Sequence, residues 1–190
     1  MRDVDSPLIE TERLIVTRMT TDDLDTYLDL HSDPDVSRFV GEMDRTLAAV
    51  RLDADARVWG ERGHGLFKVA DKHDDRFLGR VGLRYWTQFD ETEVGWTLRR
   101  AEWGHGYATE AARAVAAWGF QELPVPYLIS CIQADNVRSI AVAERLGMTP
   151  LRDDVLDGIA AIGGQVLNGI EVMIHAVTRE DWDRRPQSDC

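Results

Sequence analysis

Two glycines one residue apart, Gly104 and Gly106, stand where a strand-like run gives way to an alanine-rich run with a helical pattern. Such a turn directs several backbone N–H groups outward at the start of a helix, where the partial positive charge favours an anion. Glycine also lets a ligand lie directly against the main chain. The stretch therefore predicts a phosphate or pyrophosphate site, with a tight turn that binds nothing as the alternative.

The residues around the glycines narrow the kinds of phosphate loop that fit. A Walker loop ends in Gly-Lys-Ser/Thr, so that a lysine and a hydroxyl reach the terminal phosphate and its magnesium, and this stretch has neither. A dinucleotide-binding loop has a third glycine where Thr109 stands, and it opens the first β–α unit of its domain, whereas this loop follows several strands. A nucleotide-dependent oxidoreductase stays open as one alternative function.

The composition excludes several classes of protein. The 190 residues are 44% apolar and 29% charged, which is typical of one globular domain over 1–190. The net charge of -12 argues against nucleic acid and anionic membrane surfaces as partners. Cys131 and Cys190 cannot build a disulfide framework, and the five histidines show no metal-ligand spacing, so no metal is expected. No apolar run reaches the length of a membrane span, and we expect a cytoplasmic protein.

The elements that must position the loop follow from periodicity. Alternation over 12–18 predicts a strand, and the pair Thr20 and Asp23 predicts a capping box that starts a helix. Apolar spacing over 44–59 predicts a second helix. From Gly65, the runs "GLFKVA", "RFLGRVGLRYW" and "TEVGWTL" predict three strands in an antiparallel meander. The glycine loop therefore follows the last strand of a meander.

The second half of the chain alternates helices and strands. The predicted elements are a helix over 107–122, a strand over 127–133, a helix between Asn136 and Gly147, and closing strands over 148–156 and 170–178. Segment 157–169 is predicted as a hairpin loop or a piece of helix. The ends, about 1–9 and 183–190, are expected to be flexible tails.

This order of elements, with the motifs "WGHGYATEA" and "ADNVRSIAVAERLGM", resembles the GNAT superfamily of acyl-CoA N-acyltransferases, in particular its RimJ/RimL-like branch. The stretch "IETERLIVTRMTTDDLDTYLDL" is similar to the opening of that branch, and "EVMIHAVTREDW" to its last strand. The resemblance implies an α/β (α+β) fold with a mixed, mostly antiparallel central sheet, helices on both faces and a splayed central strand pair. It also implies acetyl-CoA as co-substrate and transfer of the acetyl group to a primary amine by direct attack in a ternary complex.

The resemblance assigns the glycine loop to coenzyme A, whose pyrophosphate the family clasps with main-chain amides. Trp103 stands where the family usually has Gln or Arg, so only its main-chain role carries over. The pantetheine arm is expected between strands 94–98 and 128–133, and an amide near Trp96 is the implied donor to the oxyanion. The residues implied to bind the cofactor are Trp96, Thr97, Leu98, Trp103, Gly104, His105, Gly106, Tyr107, Ala108, Thr109, Asn136, Ser139 and Arg145.

Acyl transfer to an amine needs a base for the ammonium proton, a donor for the oxyanion and an acid for the leaving thiolate. The resemblance implies Glu93 as the general base, acting directly or through water. The alternative for Glu93 is a solvated edge-strand acid paired with an arginine, within a cluster that includes Asp90 and Glu91. Many members carry a tyrosine acid where this chain has Ala143, so Ser139, one turn earlier, is the implied acid.

Two further questions stay open at this level. The missing tyrosine leaves a non-catalytic coenzyme A-binding sensor or assembly module as an alternative to the enzyme. The acceptors of this branch include protein N-terminal amines, polyamines, amino acids and aminoglycosides, and the acidic net charge favours a cationic one. Dimers are common in such families, so a homodimer is a further expectation. Tyr85 and Trp86 end a strand beside the expected acceptor mouth.

Overall fold

The computed structural model describes residues 8–159 and 166–185, and across these residues one mixed sheet is flanked by helices. Its strands are β1 Ile9–Glu10, β2 Leu14–Arg18, β3 Leu66–Asp71, β4 Phe77–Trp86, β5 Glu91–Leu98, β6 Tyr127–Ile132, β7 Thr149–Ile159 and β8 Val166–Thr178. Its α-helices are α1 Leu24–Leu30, α2 Pro34–Val40, α3 Arg45–Arg62, α4 Tyr107–Glu122, α5 Val137–Leu146 and α6 Arg179–Asp183. The spatial order of the strands is β1-β2-β3-β4-β5-β6-β8-β7, and among the described pairs only β5 with β6 is parallel. The predicted mixed, mostly antiparallel sheet is confirmed.

Strand β4 has two chemically different faces, because successive side chains of a strand point to opposite sides of the sheet. Val81 and Leu83 are fully buried in the core that the sheet forms with α4. Arg80 and Arg84 point the other way, toward the side where Tyr27 of α1 lies. Helices therefore cover both faces of the sheet, and on the face that carries Arg80 and Arg84 the buried Trp86 belongs to a separate apolar cluster.

The sheet opens between its two central strands. Glu93 opposite Ile129 is the single register pair of β5 and β6, whereas β4 and β5 pair continuously from Gly79 opposite Leu98 onward. Beyond that one pair, the backbone groups of β5 and β6 that face each other must find other partners. The predicted splay of the central strands is confirmed.

Several helix limits agree with the capping signals predicted from the sequence. Thr20 and Asp23 form the reciprocal capping box, although the turn that they start is a 3-10 turn leading into α1. Asn136 caps α5 by accepting from the Ser139 N–H at 3.2 Å, and Gly147 ends that helix with a φ of 67°. Helix α4 has the predicted limits, and α3 starts after the Asp44 cap but extends three residues beyond the predicted end at 59.

Several predictions of element type and length need correction. Helix α2 was missed, because seven residues are too few for a periodic pattern, and its signal is only the Asp33 cap with proline at the first helical position. The segment 157–169 is not simply a loop or a helix, since β7 continues to Ile159 and β8 begins at Val166, while 160–165 lies outside the described residues.

Part of each segment that was predicted as a tail belongs to a strand or a helix. Strand β1 includes Ile9, which pairs with Val16 of β2, and α6 includes Asp183. Arg185 donates to the carbonyl oxygens of Leu146 and Gly147 beyond the end of α5. Residues 1–7 and 186–190 lie outside the described residues.

A buried acid on α3 ties this helix to the sheet. The Asp55 side chain accepts the Leu66 N–H with both carboxylate oxygens, at 3.0 and 3.1 Å. Burial raises the pKa of Asp55 from 3.8 to about 6. The folded protein therefore binds this proton more tightly than the unfolded chain does. This contribution to stability is present below about pH 3.8 and is lost as the pH rises through about 6.

The substitution Asp55→Asn removes this titration. Between about pH 4.5 and about pH 7.5, we expect the free energy of unfolding of the wild type to fall by about 2 kcal/mol relative to that of the variant. Urea denaturation of both proteins at the two pH values measures the difference. The exposed Asp53 on the same helix supplies the control Asp53→Asn, which should track the wild type. A pH-independent difference between Asp55→Asn and the wild type would contradict the raised pKa.

Candidate functional site

The loop before α4 presents open backbone at the start of a 16-residue helix. Gly104 and Gly106 both have a φ of 83°, in the left-handed region that glycine adopts most readily. Gly106 is the N-cap residue, and no side chain caps the helix. Among the described residues, Glu110 is the first of this helix whose N–H bonds a backbone acceptor, the Gly106 carbonyl at 3.1 Å. The first turn therefore offers N–H groups to an anion.

A cation that the sequence did not reveal lies beside this loop. Arg13 pairs with Glu110 at 2.6 Å, donates to the His105 carbonyl at 3.0 Å and lies 4.6 Å from the centre of the Tyr107 ring. The pairing offsets the acid on the first helical turn and keeps this end of the helix suited to an anion. Arg13 and Glu110 are 97 residues apart, so no local pattern signalled the contact.

The Trp103 side chain anchors the loop to the strand before it. Its indole N–H donates to the Leu98 carbonyl at 3.0 Å, and the Arg138 guanidinium lies 4.8 Å from the ring centre. The Leu98 carbonyl, at a position predicted to contact pantetheine, thus already accepts a hydrogen bond. The tryptophan in place of the family's usual Gln or Arg has a structural role.

A cavity of about 310 Å³ lies where β5 and β6 separate. Its lining includes Glu93, Trp96 and Thr97 of β5 together with Asn136 and Ser139 at the start of α5. The fold thus brings together predicted site residues from two distant segments of the chain. The cavity has the size that small-molecule sites in proteins have.

The other predicted cofactor residues lie outside the lining of this cavity. Leu98 and the loop residues 103–109 follow the β5 residues that do line it. Arg145 is exposed on α5, and its side chain donates to the Ala141 carbonyl of its own helix at 3.2 Å. The contact between Arg145 and a nucleotide phosphate stays a prediction.

The carboxylate of Glu93 forms hydrogen bonds across the place where β5 and β6 separate. It accepts the Cys131 N–H of β6 at 3.1 Å and the Trp86 indole N–H of β4 at 2.8 Å. No described arginine forms an ion pair with it, whereas Glu91 pairs with Arg152 at 2.7 Å. The pairing with an arginine that was considered for Glu93 is found at Glu91 instead, and there the carboxylate is buried, not solvated. A carboxylate has about four acceptor positions, so Glu93 retains capacity for a proton donor inside the cavity.

Two serines beside the opening differ in their bonding. The Ser130 hydroxyl is buried and donates to the Val94 carbonyl at 2.5 Å. The Ser139 hydroxyl lines the cavity, and within the described part of the chain it makes no hydrogen bond. Ser130 therefore supplies a hydrogen-bond partner to a β5 carbonyl group, whereas the Ser139 hydroxyl is available to a ligand.

The Cys131 thiol is a poor nucleophile at this position. Burial, together with the nearby Glu93 carboxylate, raises the pKa of Cys131 well above its usual range. Since the thiolate is the reactive form, a thiol held neutral carries no acyl-transfer chemistry. Within the described ranges, no three His, Cys, Asp or Glu side chains gather as metal ligands, and no helix is long and apolar enough to cross a membrane.

One wall of the cavity is cationic, and sequence reasoning missed it. Arg80 and Arg84 of β4 and Arg51 of α3 line it, and Glu93 is the sole carboxylate of the described lining. The available signal was the spacing of Arg80 and Arg84, which places both on one face of a central strand. The approach of Arg51 is a tertiary contact that no local pattern encodes.

Comparisons with known proteins identify relatives of this chain by sequence and by fold. Residues 13–149 match the family model described as the acetyltransferase (GNAT) domain. The protein YkkB of Bacillus subtilis is 36% identical over 124 residues, which cover 63% of this chain and 71% of that protein. The crystal structure of an acetyltransferase from Agrobacterium tumefaciens is 29% identical, with a TM-score of 0.74 over 92% of this chain and 96% of that one. RimL, a ribosomal α-N-protein acetyltransferase solved with coenzyme A, shares the fold at 11% identity, with a TM-score of 0.73 over 93% of this chain and 99% of that one.

Alanine substitutions of Ser130 and Ser139 test whether the Ser130 hydroxyl stabilises the place where β5 and β6 separate. In Ser130→Ala, the Val94 carbonyl loses its buried partner, so we expect the free energy of unfolding to fall by about 1–2 kcal/mol. In Ser139→Ala, no hydrogen bond of the described structure is lost, and the change should stay within about 0.5 kcal/mol. Urea denaturation measures both variants. Equal stability of the two would show that the Ser130 hydroxyl does not hold the strands at this point.

Proposed function

This chain belongs to the GNAT acetyltransferase family and is an acetyl-CoA-dependent N-acetyltransferase, and we propose that its acceptor is a small primary amine that attacks the thioester directly. The observation that carries the proposal is the cavity at the splay, which has Glu93 and Ser139 on its lining. Both substrates are bound together in this mechanism, and no acyl-enzyme intermediate forms. The neutral Cys131 thiol supports that choice.

Coenzyme A fits the open backbone on this side of the sheet. The uncapped first turn of α4, with Gly104 and Gly106 before it, suits the pyrophosphate. The edge of β5 beyond Glu93, left without a β6 partner, suits the amides of the pantetheine arm. Arg13 adds a cation beside the loop. These residues bind and orient the donor, which supplies an activated acetyl group as a thioester.

Glu93 and Ser139 would divide the proton transfers. Glu93 takes a proton from the ammonium group of the acceptor, directly or through a water molecule. The amine nitrogen then bonds to the acetyl carbon, and the carbon–sulfur bond breaks. The Ser139 hydroxyl gives its proton to the departing sulfur and regains one from the nitrogen, which loses its second proton as the amide forms. The main-chain amide near Trp96 is the proposed donor to the oxyanion.

A non-catalytic coenzyme A-binding module is the second candidate. It is favoured by Ala143, which is fully buried at the position where related enzymes carry the tyrosine acid. Release of free thiol from acetyl-CoA over a panel of amines separates the two candidates, since the module binds the donor and releases nothing. Membership of the GNAT family removes the nucleotide-dependent oxidoreductase considered from the loop alone.

Glu93→Gln tests the proposed base. Because glutamine cannot accept the ammonium proton, we expect kcat to fall about a hundredfold or more, while the Kd of acetyl-CoA changes less than about twofold. Thiol release across pH measures kcat, and isothermal titration measures Kd. Asp90→Asn, in the same acidic cluster but exposed, is the control and should retain activity. An unchanged kcat for Glu93→Gln at every pH would remove Glu93 from the role.

Gly104→Ala tests the loop against a closely matched control. A Cβ at Gly104 meets nothing within 4 Å, so the substitution acts only through the left-handed φ of 83°. Because alanine disfavours this φ, the loop backbone is expected to rotate and to turn its N–H groups away from the pyrophosphate. We therefore expect the Kd of acetyl-CoA to rise about tenfold. Gly60→Ala on α3 has the same open space without a positive φ and should leave Kd unchanged. Isothermal titration that finds equal Kd values for the two variants would contradict the role of the loop.

A further inference from the structure

Three arginines form the cationic wall of the cavity and are buried or half-buried there. Arg51 and Arg80 are 7% and 8% exposed, and Arg84 is half-buried. They come from α3 and from one face of β4, so the fold holds them in a fixed arrangement beside the opening of the sheet. We call this set the arginine wall.

The arginine wall has no acid partner. Among the described residues, none of its three guanidinium groups forms an ion pair or a hydrogen bond, and the Nε groups of Arg51 and Arg80 are buried without any partner. Burial and the two neighbouring arginines lower the pKa of Arg80. A buried charge without a partner destabilises a protein strongly, so this arrangement points to a ligand that supplies the missing negative charge.

Aromatic rings compensate these charges only in part. The Arg80 guanidinium lies 5.9 Å from the centre of the Tyr27 ring, and that of Arg84 lies 5.3 Å from the Trp86 ring. Such contacts are weak at these distances and leave the N–H donors of the guanidinium groups unused. The aromatic rings therefore stabilise the guanidinium groups weakly, and they do not provide the negative charge that an anionic ligand would.

The nearest acids are already engaged elsewhere. Asp55 uses both oxygens on the Leu66 N–H, and burial raises its pKa to about 6. Glu93 stands opposite Arg84 in the strand register, yet its oxygens accept from Trp86 and Cys131. Neither acid forms an ion pair with the arginine wall. The charge of Glu93 acts to raise the pKa of Arg80, and Arg80 and Arg84 act to lower that of Asp55, so the two acids offset part of the positive charge at longer range. The three guanidinium groups still have no direct anionic partner in the cavity.

We propose that the arginine wall binds an anionic group of the acceptor, so that the acceptor is a small amine that also carries a carboxylate or a phosphate. The inference rests on the proposed function and names the substrate class for the same cavity. Because Arg84 lies opposite Glu93, an acceptor held by its anion on the wall places its amine beside the proposed base. The cavity of about 310 Å³ suits a small molecule. The charge of this wall is opposite to the net charge of -12, from which a cationic acceptor was expected.

Matched amines test the substrate class by thiol release from acetyl-CoA. The pairs are alanine with alaninamide, phenylalanine with phenylalaninamide, and phosphoethanolamine with ethanolamine, and spermidine is the cationic arm. We expect kcat/KM to be at least about 30-fold higher for the member that carries the carboxylate or phosphate than for its partner without one, as charge-assisted hydrogen bonds to the wall are gained. The first two pairs reveal a carboxylate acceptor and the third a phosphate acceptor. Preference for the amines without an anionic group, or for spermidine, would overturn the inference while leaving the acetyltransferase function intact.

Arg80→Gln connects the preference to the wall. We expect it to raise KM for the preferred amine with an anionic group about tenfold or more, with little change in kcat/KM for the partner that lacks this group or in the Kd of acetyl-CoA. Arg57→Gln, exposed on α3, is the control and should behave as the wild type. Retention of the anionic preference in Arg80→Gln would contradict the assignment.

Two further measurements do not depend on turnover. Isothermal titration of the same anionic amine into protein saturated with coenzyme A should show binding to the wild type and at least about tenfold weaker binding to Arg80→Gln. Because the variant removes an unpaired buried charge, it should unfold at equal or higher urea concentration than the wild type. Loss of stability in Arg80→Gln without loss of amine affinity would assign Arg80 to packing and overturn the inference. If the amine binds through Arg80 but no thiol is released, the anion site stands and the transfer function fails.

Discussion

The structure depends on a strand pair that stops after one residue pair. Parallel β5 and β6 meet at Glu93 and Ile129 and then separate, although an unpaired backbone group in a protein interior costs free energy. Side chains supply the missing bonds: the Ser130 hydroxyl bonds the Val94 carbonyl, and the Glu93 carboxylate bonds the Cys131 N–H. The sheet can stay open at its centre because these side chains satisfy part of its backbone.

Glu93 contributes both to the fold and to the proposed chemistry. Its carboxylate accepts hydrogen bonds from the backbone of β6 and from the Trp86 indole, and it also lines the cavity. A group fixed by two donors has little freedom to move, which is what positioning a base requires. Strand β5 carries Glu93 and leads directly into the glycine loop. It also pairs with β4 so that Glu93 lies opposite Arg84. This one strand therefore positions the acetyl donor and the base relative to the arginine wall.

The sequence predicted local features well and tertiary ones poorly. The limits of α4 and α5 were readable because a glycine turn and the Asn136 and Gly147 caps are local signals. The resemblance to a family, more than periodicity, predicted that Glu93 and Ser139 share a site, and both line one cavity. Their catalytic roles remain proposals. The arginine wall was missed because net charge averages over the surface, whereas the wall joins a helix and a strand far apart in sequence.

A crystal structure with bound coenzyme A is the sharpest test of whether the separation of β5 and β6 organises the whole site. We expect the pyrophosphate on the main-chain amides of 104–108 and the sulfur in the opening between β5 and β6, within reach of Ser139 and on the side of Glu93. A pyrophosphate bound away from the α4 N-terminus, or a sulfur that lies outside the opening of the sheet, would contradict it.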